Sequence, residues 1–205
     1  MVPVVAGSIP VVRPITPSRL VGLVLAGGRA LRLGGVDKTL LTLRGRTLAH
    51  HVLARLADQV AAIAISANGD PARFAHFGCP VLADTVAGRG PLGGVLRGLD
   101  WAADCGATAI LTVPGDTPFV PGDLAARLGA GPAWAENSAG IHPLVAVWPT
   151  ACRDALAAWL AATPSGRVQA FGATIGMRAV WFDDTPDPFH NINTQADLDQ
   201  ARSRA

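Results

Sequence analysis

Short apolar runs alternate with stretches of helical spacing along this chain. The first clear run, Val21 to Leu25, is too short for a helix and stops at Gly27-Gly28, which predicts a buried strand entering a tight loop. Leu48, Val52 and Leu56 then recur at helical spacing, and Val60 to Ile65 returns to a short apolar run ending in Ser66-Ala67-Asn68. A third strand is predicted at Pro80 to Leu82. Asp84, a glycine-rich turn from Gly88 to Gly94 and a helix carrying Val95, Leu96 and Leu99 follow it. Thr108 to Val113 predicts another strand, with Asp116 just beyond.

The second half reads as two strands, Ala133 to Glu136 and Ile141 to Trp148, around a turn at 137–140. Helices are predicted around Ala151 to Ala161 and Arg167 to Phe171, and a strand near Arg178 to Phe182. Thr194 with Asp197 has the spacing of a helix-capping pair for the final helix. Alternation of this kind predicts one α/β domain over 20–205. Its three layers are a mostly parallel twisted sheet with helices on both faces, because each parallel crossover must run over the sheet. In such folds ligands bind beyond the carboxyl ends of the strands. Ala26 to Lys38, Ser66 to Asn68, Asp84 and Pro114 to Pro118 all fall there.

Composition narrows the class. With 205 residues, 50% of them hydrophobic, the chain can bury an ordinary core without disulfides or metals. Cys79, Cys105 and Cys152 form no C-x-x-C pair and have no histidine cluster beside them, so reduced cytosolic thiols and a cytoplasmic location are expected. A net charge of +2, without a basic run interleaved with aromatics, argues against a nucleic-acid partner. Residues 1–19 carry Pro3, Pro10, Pro14 and Pro17. They fit neither a signal peptide nor a membrane span, and predict a disordered tail. Sixteen basic residues are arginine and only Lys38 is lysine. A lone lysine suggests a position that needs a compact ammonium on a flexible stem.

The segment from Leu25, Ala26, Gly27 and Gly28 to Lys38 carries the chemistry. Its glycines let backbone N–H groups approach an anion, and Arg29, Arg32 and Lys38 surround that space with positive charge. Phosphate binding is the reading. Asp37 before Lys38 excludes a Walker A loop, and the later G-x-G-x-x-G at Gly88, Gly90 and Gly93 follows no strand and contains Pro91. Asp116 lies in a Pro-Gly-Asp-Thr-Pro turn after a strand. It is either a ligand for a phosphate-bound magnesium ion or a turn aspartate, and Asp84 has the same two readings. His142 fits a packed histidine as well as a functional one. Asn191 and Asn193 flank Ile192, so their amides share one side of an extended segment, where they either meet a polar substrate or satisfy a turn.

Together these segments resemble the molybdenum cofactor guanylyltransferases, commonly called MobA, from about Val21 to the final helix. Leu25-Ala26-Gly27-Gly28 through Arg32, Gly34-Gly35 and Asp37-Lys38 carries the resemblance. Gly90-Pro91-Leu92-Gly93-Gly94, Asp116-Thr117-Pro118-Phe119, His142-Pro143 and Asn191-Ile192-Asn193-Thr194 follow in the family's order. The resemblance implies a Rossmann-like nucleotidyltransferase fold and transfer of GMP from GTP to the phosphate of molybdopterin. Lys38, Asp116 and Arg32 are the catalytic candidates it implies. Leu25, Ala26, Gly27, Gly28, Lys38, Ser66, Asn68, Asp84, Gly90, Pro91, Leu92 and Asp116 are expected to bind nucleotide, with Mg2+ on Asp116. Asn191, Asn193, Arg167 and His142 are expected on the acceptor side. A nucleotide half over 20–120 and an acceptor half over 121–205 follow, as do transient contacts with molybdoenzyme chaperones or cofactor-synthesis proteins. Two positions depart from the family: Ser66 stands where asparagine is frequent, with Asn68 two residues on, and Leu33 stands where methionine is common. A molybdenum cofactor cytidylyltransferase is the nearest alternative, but those more often resemble Ala-Gly at Gly27-Gly28. A sugar-phosphate nucleotidyltransferase and a non-catalytic nucleotide-binding adaptor are the others.

Overall fold

The first strand, β1 (Leu20–Leu25), shows why the chain folds in layers. Val21 and Leu23 pack with the apolar side chains of one helical layer, and Val24 with those of the other, so both faces of the strand are covered. The computed structural model describes residues 20–26, 37–84, 88–163 and 167–203. The tail predicted over 1–19 lies outside them. After β1 come a hairpin of β2 (Thr42–Leu43) and β3 (Arg46–Thr47), helix α1 (Leu48–Leu56), β4 (Ile63–Ser66), β5 (Val81–Leu82), α2 (Pro91–Asp104) and β6 (Ala109–Pro114). Then follow α3 (Leu124–Leu128), β7 (Ala133–Asn137), β8 (Gly140–Pro149), α4 (Arg153–Ala162), α5 (Val168–Thr174), β9 (Arg178–Trp181) and α6 (Gln195–Ser203).

One sheet of seven strands runs in the order β5-β4-β1-β6-β8-β7-β9. β1 pairs parallel with β4 and β6, and β8 runs antiparallel to both its neighbours. The chain therefore leaves β1 toward β4 and β5, then returns to place β6 on the other side of β1. That reversal opens a crevice at the carboxyl ends of β1 and β6. The backbone ladder continues into it, with Ala26 N–H donating to Ser66 O at 2.8 Å and Gly115 N–H to Leu25 O at 2.9 Å.

Helix α2 departs from the sequence expectation. A turn is predicted from Gly88 to Gly94, but the helix begins at Pro91, whose fixed φ and missing N–H suit a first helical position. Gly90, at φ 59°, makes the entry. Gly94 and Gly98 instead let the helix lie close on the sheet: a Cβ on Gly94 would meet Ser66 Oγ, and one on Gly98 would come within 2.5 Å of Leu23 Cδ2. Close packing thus offsets the poor helix propensity of glycine.

Three further elements go beyond the sequence reading. Arg44 and Gly45 both have positive φ, 50° and 77°, which closes the β2–β3 hairpin with a turn matched to strand twist. Pro71–Phe77 forms 3-10 turns capped by Asp70, with Phe74 and Phe77 buried. In β8, the register with β7 slips between Trp134 and Ala135, opposite the stretch holding Pro143, which has no N–H for a ladder.

Thr112 of β6 compensates for that slip. Its buried hydroxyl donates to Leu144 O at 2.8 Å and accepts from the Trp148 indole N–H at 2.9 Å. Thr112→Val keeps the shape but leaves the indole N–H buried without its acceptor. It should cost about 1–3 kcal/mol, read from urea unfolding.

Candidate active site

The crevice between β1 and β6 widens into a cleft of about 260 Å3. Leu25, Ala26, Lys38, Ser66, Asn68, Asp84, Gly90, Pro91, Asp116 and Asn191, all nominated from sequence, line it. Asp37, Thr39, Gly94, Pro114 and Leu144 complete the walls. Gly27, Gly28 and Arg32 lie outside the described residues. The Leu92 side chain is fully buried in the core cluster that also holds Leu23 and Val95, and Leu92 is not among the residues that line the cleft. Arg167 is exposed at the start of α5. His142 hydrogen-bonds Asn137 Oδ1 at 2.9 Å and packs at a tilt against the Phe189 ring, and burial pushes its pKa down while Asp187 partly offsets that.

Lys38 opens a single 3-10 turn, Lys38–Leu40, held from beneath. Asp37 Oδ1 accepts from the Thr39 backbone N–H at 3.1 Å and from its hydroxyl at 2.7 Å. The other Asp37 oxygen faces Arg73 Nε at 3.6 Å. Thr39 packs on Gly115, where an added Cβ would fall 2.7 Å from Thr39 Cγ2. The lysine turn and the Asp116 turn are therefore in direct contact through a residue with no side chain. Thr39 was legible only as a neighbour of the lysine, because the glycine that receives it lies far away in sequence.

Asp116 follows β6 and sits largely out of solvent. Burial raises its pKa above the ordinary 3.8, opposed first by the positive charge of Lys38. Its backbone carbonyl accepts from Ile192 N–H at 2.9 Å, and the Thr117 hydroxyl donates to Asn191 Oδ1 at 2.7 Å. Across the cleft, Asn68 and Asp84 clasp one another. Asn68 Nδ2 donates to Asp84 Oδ2 at 2.9 Å, and Asp84 N–H donates to Asn68 Oδ1 at the same distance. A Cβ on Gly93 would lie 3.1 Å from Asp84 Oδ2, so the carboxylate rests against the first turn of α2, where a negative charge is favoured.

Among the described residues no three His, Cys, Asp or Glu side chains converge, so no all-protein metal cage exists there. A desolvated single carboxylate beside an ammonium suits a hard divalent cation that brings phosphate and water as its other ligands. The cleft can thus hold a polyanion between Lys38 and a cation on Asp116. Also among the described residues, no helix is long and apolar enough to cross a membrane.

Comparison with known proteins points the same way. A family model described as MobA-like NTP transferase domain matches residues 22–174. The molybdenum cofactor guanylyltransferase of Acidiphilium cryptum (strain JF-5) is 57% identical over 187 residues, covering 91% of this chain and 95% of its own. That of Cereibacter sphaeroides is 53% identical over 189 residues, covering 90% and 96%. Among solved structures, molybdopterin-guanine dinucleotide biosynthesis protein A from Archaeoglobus fulgidus superposes with a TM-score of 0.70 at 19% identity, over 89% of this chain and 96% of that one. The 2-C-methyl-D-erythritol 4-phosphate cytidylyltransferase of Thermus thermophilus gives 0.60 at 19%, over 88% and 96%. These last two show the fold.

The half-buried Asp116 carboxylate has a measurable signature. Because the folded pKa of Asp116 is raised, ionising it opposes folding once pH exceeds the ordinary 3.8. Asp116→Asn should therefore melt above the parent protein at neutral pH without metal, with the gap closing as pH falls below that value. Thermal scans across pH check it.

Proposed function

Because the chain belongs to the MobA-like NTP transferase family, we propose that it transfers GMP from GTP to the phosphate of molybdopterin, giving molybdopterin guanine dinucleotide and pyrophosphate. The observation that carries this reading is the placement of Lys38 and Asp116 on one cleft at the carboxyl ends of β1 and β6. An acceptor phosphate already bears a nucleophilic oxygen, so no general base is needed. The protein must align that oxygen with the α-phosphorus of GTP; the new P–O bond forms there as the α–β bridging bond breaks and pyrophosphate leaves.

Lys38 neutralises charge on the departing phosphates, at the site where a fixed ammonium costs no reorganisation. Asp116 is the residue that would hold Mg2+, which would supply Lewis-acid polarisation of phosphate oxygens. Asn68, Asp84, Gly90 and Pro91 form the wall for the nucleoside. Asn191 borders the acceptor side of the cleft, in keeping with a division between a nucleotide half over 20–120 and an acceptor half over 121–205. The guanylyltransferase names of the relatives and the Gly27-Gly28 pair favour GTP over CTP. Unpaired Cys79, Cys105 and Cys152 suit a reducing cytosol, where the product passes to molybdoenzyme chaperones.

Pyrophosphate release, measured with GTP and with CTP in the presence and absence of molybdopterin and Mg2+, tests the reading. Release should need all of GTP, molybdopterin and Mg2+; release with CTP alone as donor makes the enzyme a cytidylyltransferase, and none with either leaves a binding protein. Lys38→Ala should lower turnover by about 100-fold, as loss of a transition-state donor does.

A further inference from the structure

The C-terminal segment before α6 is wired into both sides of the cleft, and nothing in the reaction as described accounts for it. Lys38 Nζ donates to Asn193 Oδ1 at 2.8 Å. Two residues earlier, the Asn191 side chain meets Thr117, and between them Ile192 N–H donates to Asp116 O. Ile192 itself is fully buried with Leu43, Leu48 and Leu198, so the segment is pinned by its middle residue and presents its two flanking amides.

The far end of this segment is a capping box on α6. Asp197 Oδ2 accepts from Thr194 N–H at 2.8 Å, and Asp197 N–H donates to Thr194 Oγ1 at 3.1 Å. An ordinary box stops there. In this chain the same Asp197 oxygen also accepts from Asn193 N–H at 2.9 Å, one residue outside the cap. Those bonds, the Asn193 N–H foremost, hold the carboxyl of Asp197 below its usual range. A polar chain therefore runs from the carboxylate of Asp197, through the backbone and then the side chain of Asn193, to the ammonium of Lys38.

We infer that Asp197 is a positioning residue for Lys38, acting through Asn193: the capping box of α6 fixes the asparagine whose carbonyl oxygen aims the ammonium into the cleft. An unanchored lysine keeps a flexible four-carbon stem and loses rotamer freedom when it meets a phosphate. Anchoring lowers that cost before the nucleotide arrives. The role of Lys38 as a triphosphate ligand is taken from the function proposed above, but the anchoring itself is a property of the protein alone.

The single lysine makes the anchoring directly visible. Full-length protein grown on lysine labelled with 15N at Nζ should give one side-chain ammonium resonance, from Lys38. That resonance should stand apart from the position of free lysine and be protected from exchange with water. Asn193→Ala, which leaves the capping box intact, and Asp197→Ala should both collapse it toward the free position. Asp197→Glu, the commoner capping-box residue, should keep it. In turnover assays both alanine variants should lose about 10- to 100-fold in kcat/KM for GTP, and neither should lose more when added to Lys38→Ala. An ammonium resonance unchanged in Asn193→Ala overturns the inference. So does a loss confined to the KM for molybdopterin, which would make Asn193 an acceptor ligand only. Absence of GTP turnover in the parent protein would defeat the functional reading while leaving the resonance test intact.

Discussion

The pairing of β1 with β6 is the constraint on which the rest of the structure depends. Each strand is buried on both faces, so neither can slip in register without moving its whole apolar set. Leu25 lies opposite Pro114 at the end of that ladder, and the two chains must diverge there. One leads toward the segment that ends at Lys38 and the other turns at Asp116. The separation of the Lys38 ammonium and the Asp116 carboxylate is thus a by-product of apolar register, made in the core and read out at the edge.

A second layer of control is steric. Gly94, Gly98 and Gly115 are positions where a helix or turn comes within touching distance of the sheet or of Thr39. At each, the absence of a side chain brings a cleft wall inward. The opposing force is electrostatic: a carboxylate taken out of water resists ionisation, and a nearby ammonium compensates it in part. On the proposed function, a cation arriving with phosphate would complete that compensation.

Much of this was legible in the residues. The alternation of apolar runs and helical spacing leads directly to a mostly parallel sheet. The rule that ligands gather beyond strand carboxyl ends then selects the segments that line the cleft. Leu92, expected on the nucleotide side from the resemblance, turns its side chain into the core, because every helix turn at a cleft also has a buried side. Gly93 and Gly94 misled in the opposite sense, since glycine marks turns and close packing alike and only the tertiary contact tells them apart. Leu144 reaches the cleft through a bulge that Pro143 hints at but does not locate. The link from Asp197 to Lys38 was beyond reach for a simpler reason: capping is local and readable, whereas the partner of Asn193 is set by the whole fold.

The small apolar cluster of Leu43, Leu48, Ile192, Leu198 and Ala201 carries a consequence for how the protein matures. It joins the first hairpin to a helix that follows every strand of the sheet in chain order. Synthesis delivers the strands of the sheet ahead of residues 191–203, β9 ending at Trp181. Docking of α6 on this cluster sets the 191–193 segment against Lys38 and Asp116, so a late part of the chain completes the cleft edge that β1 and β6 begin.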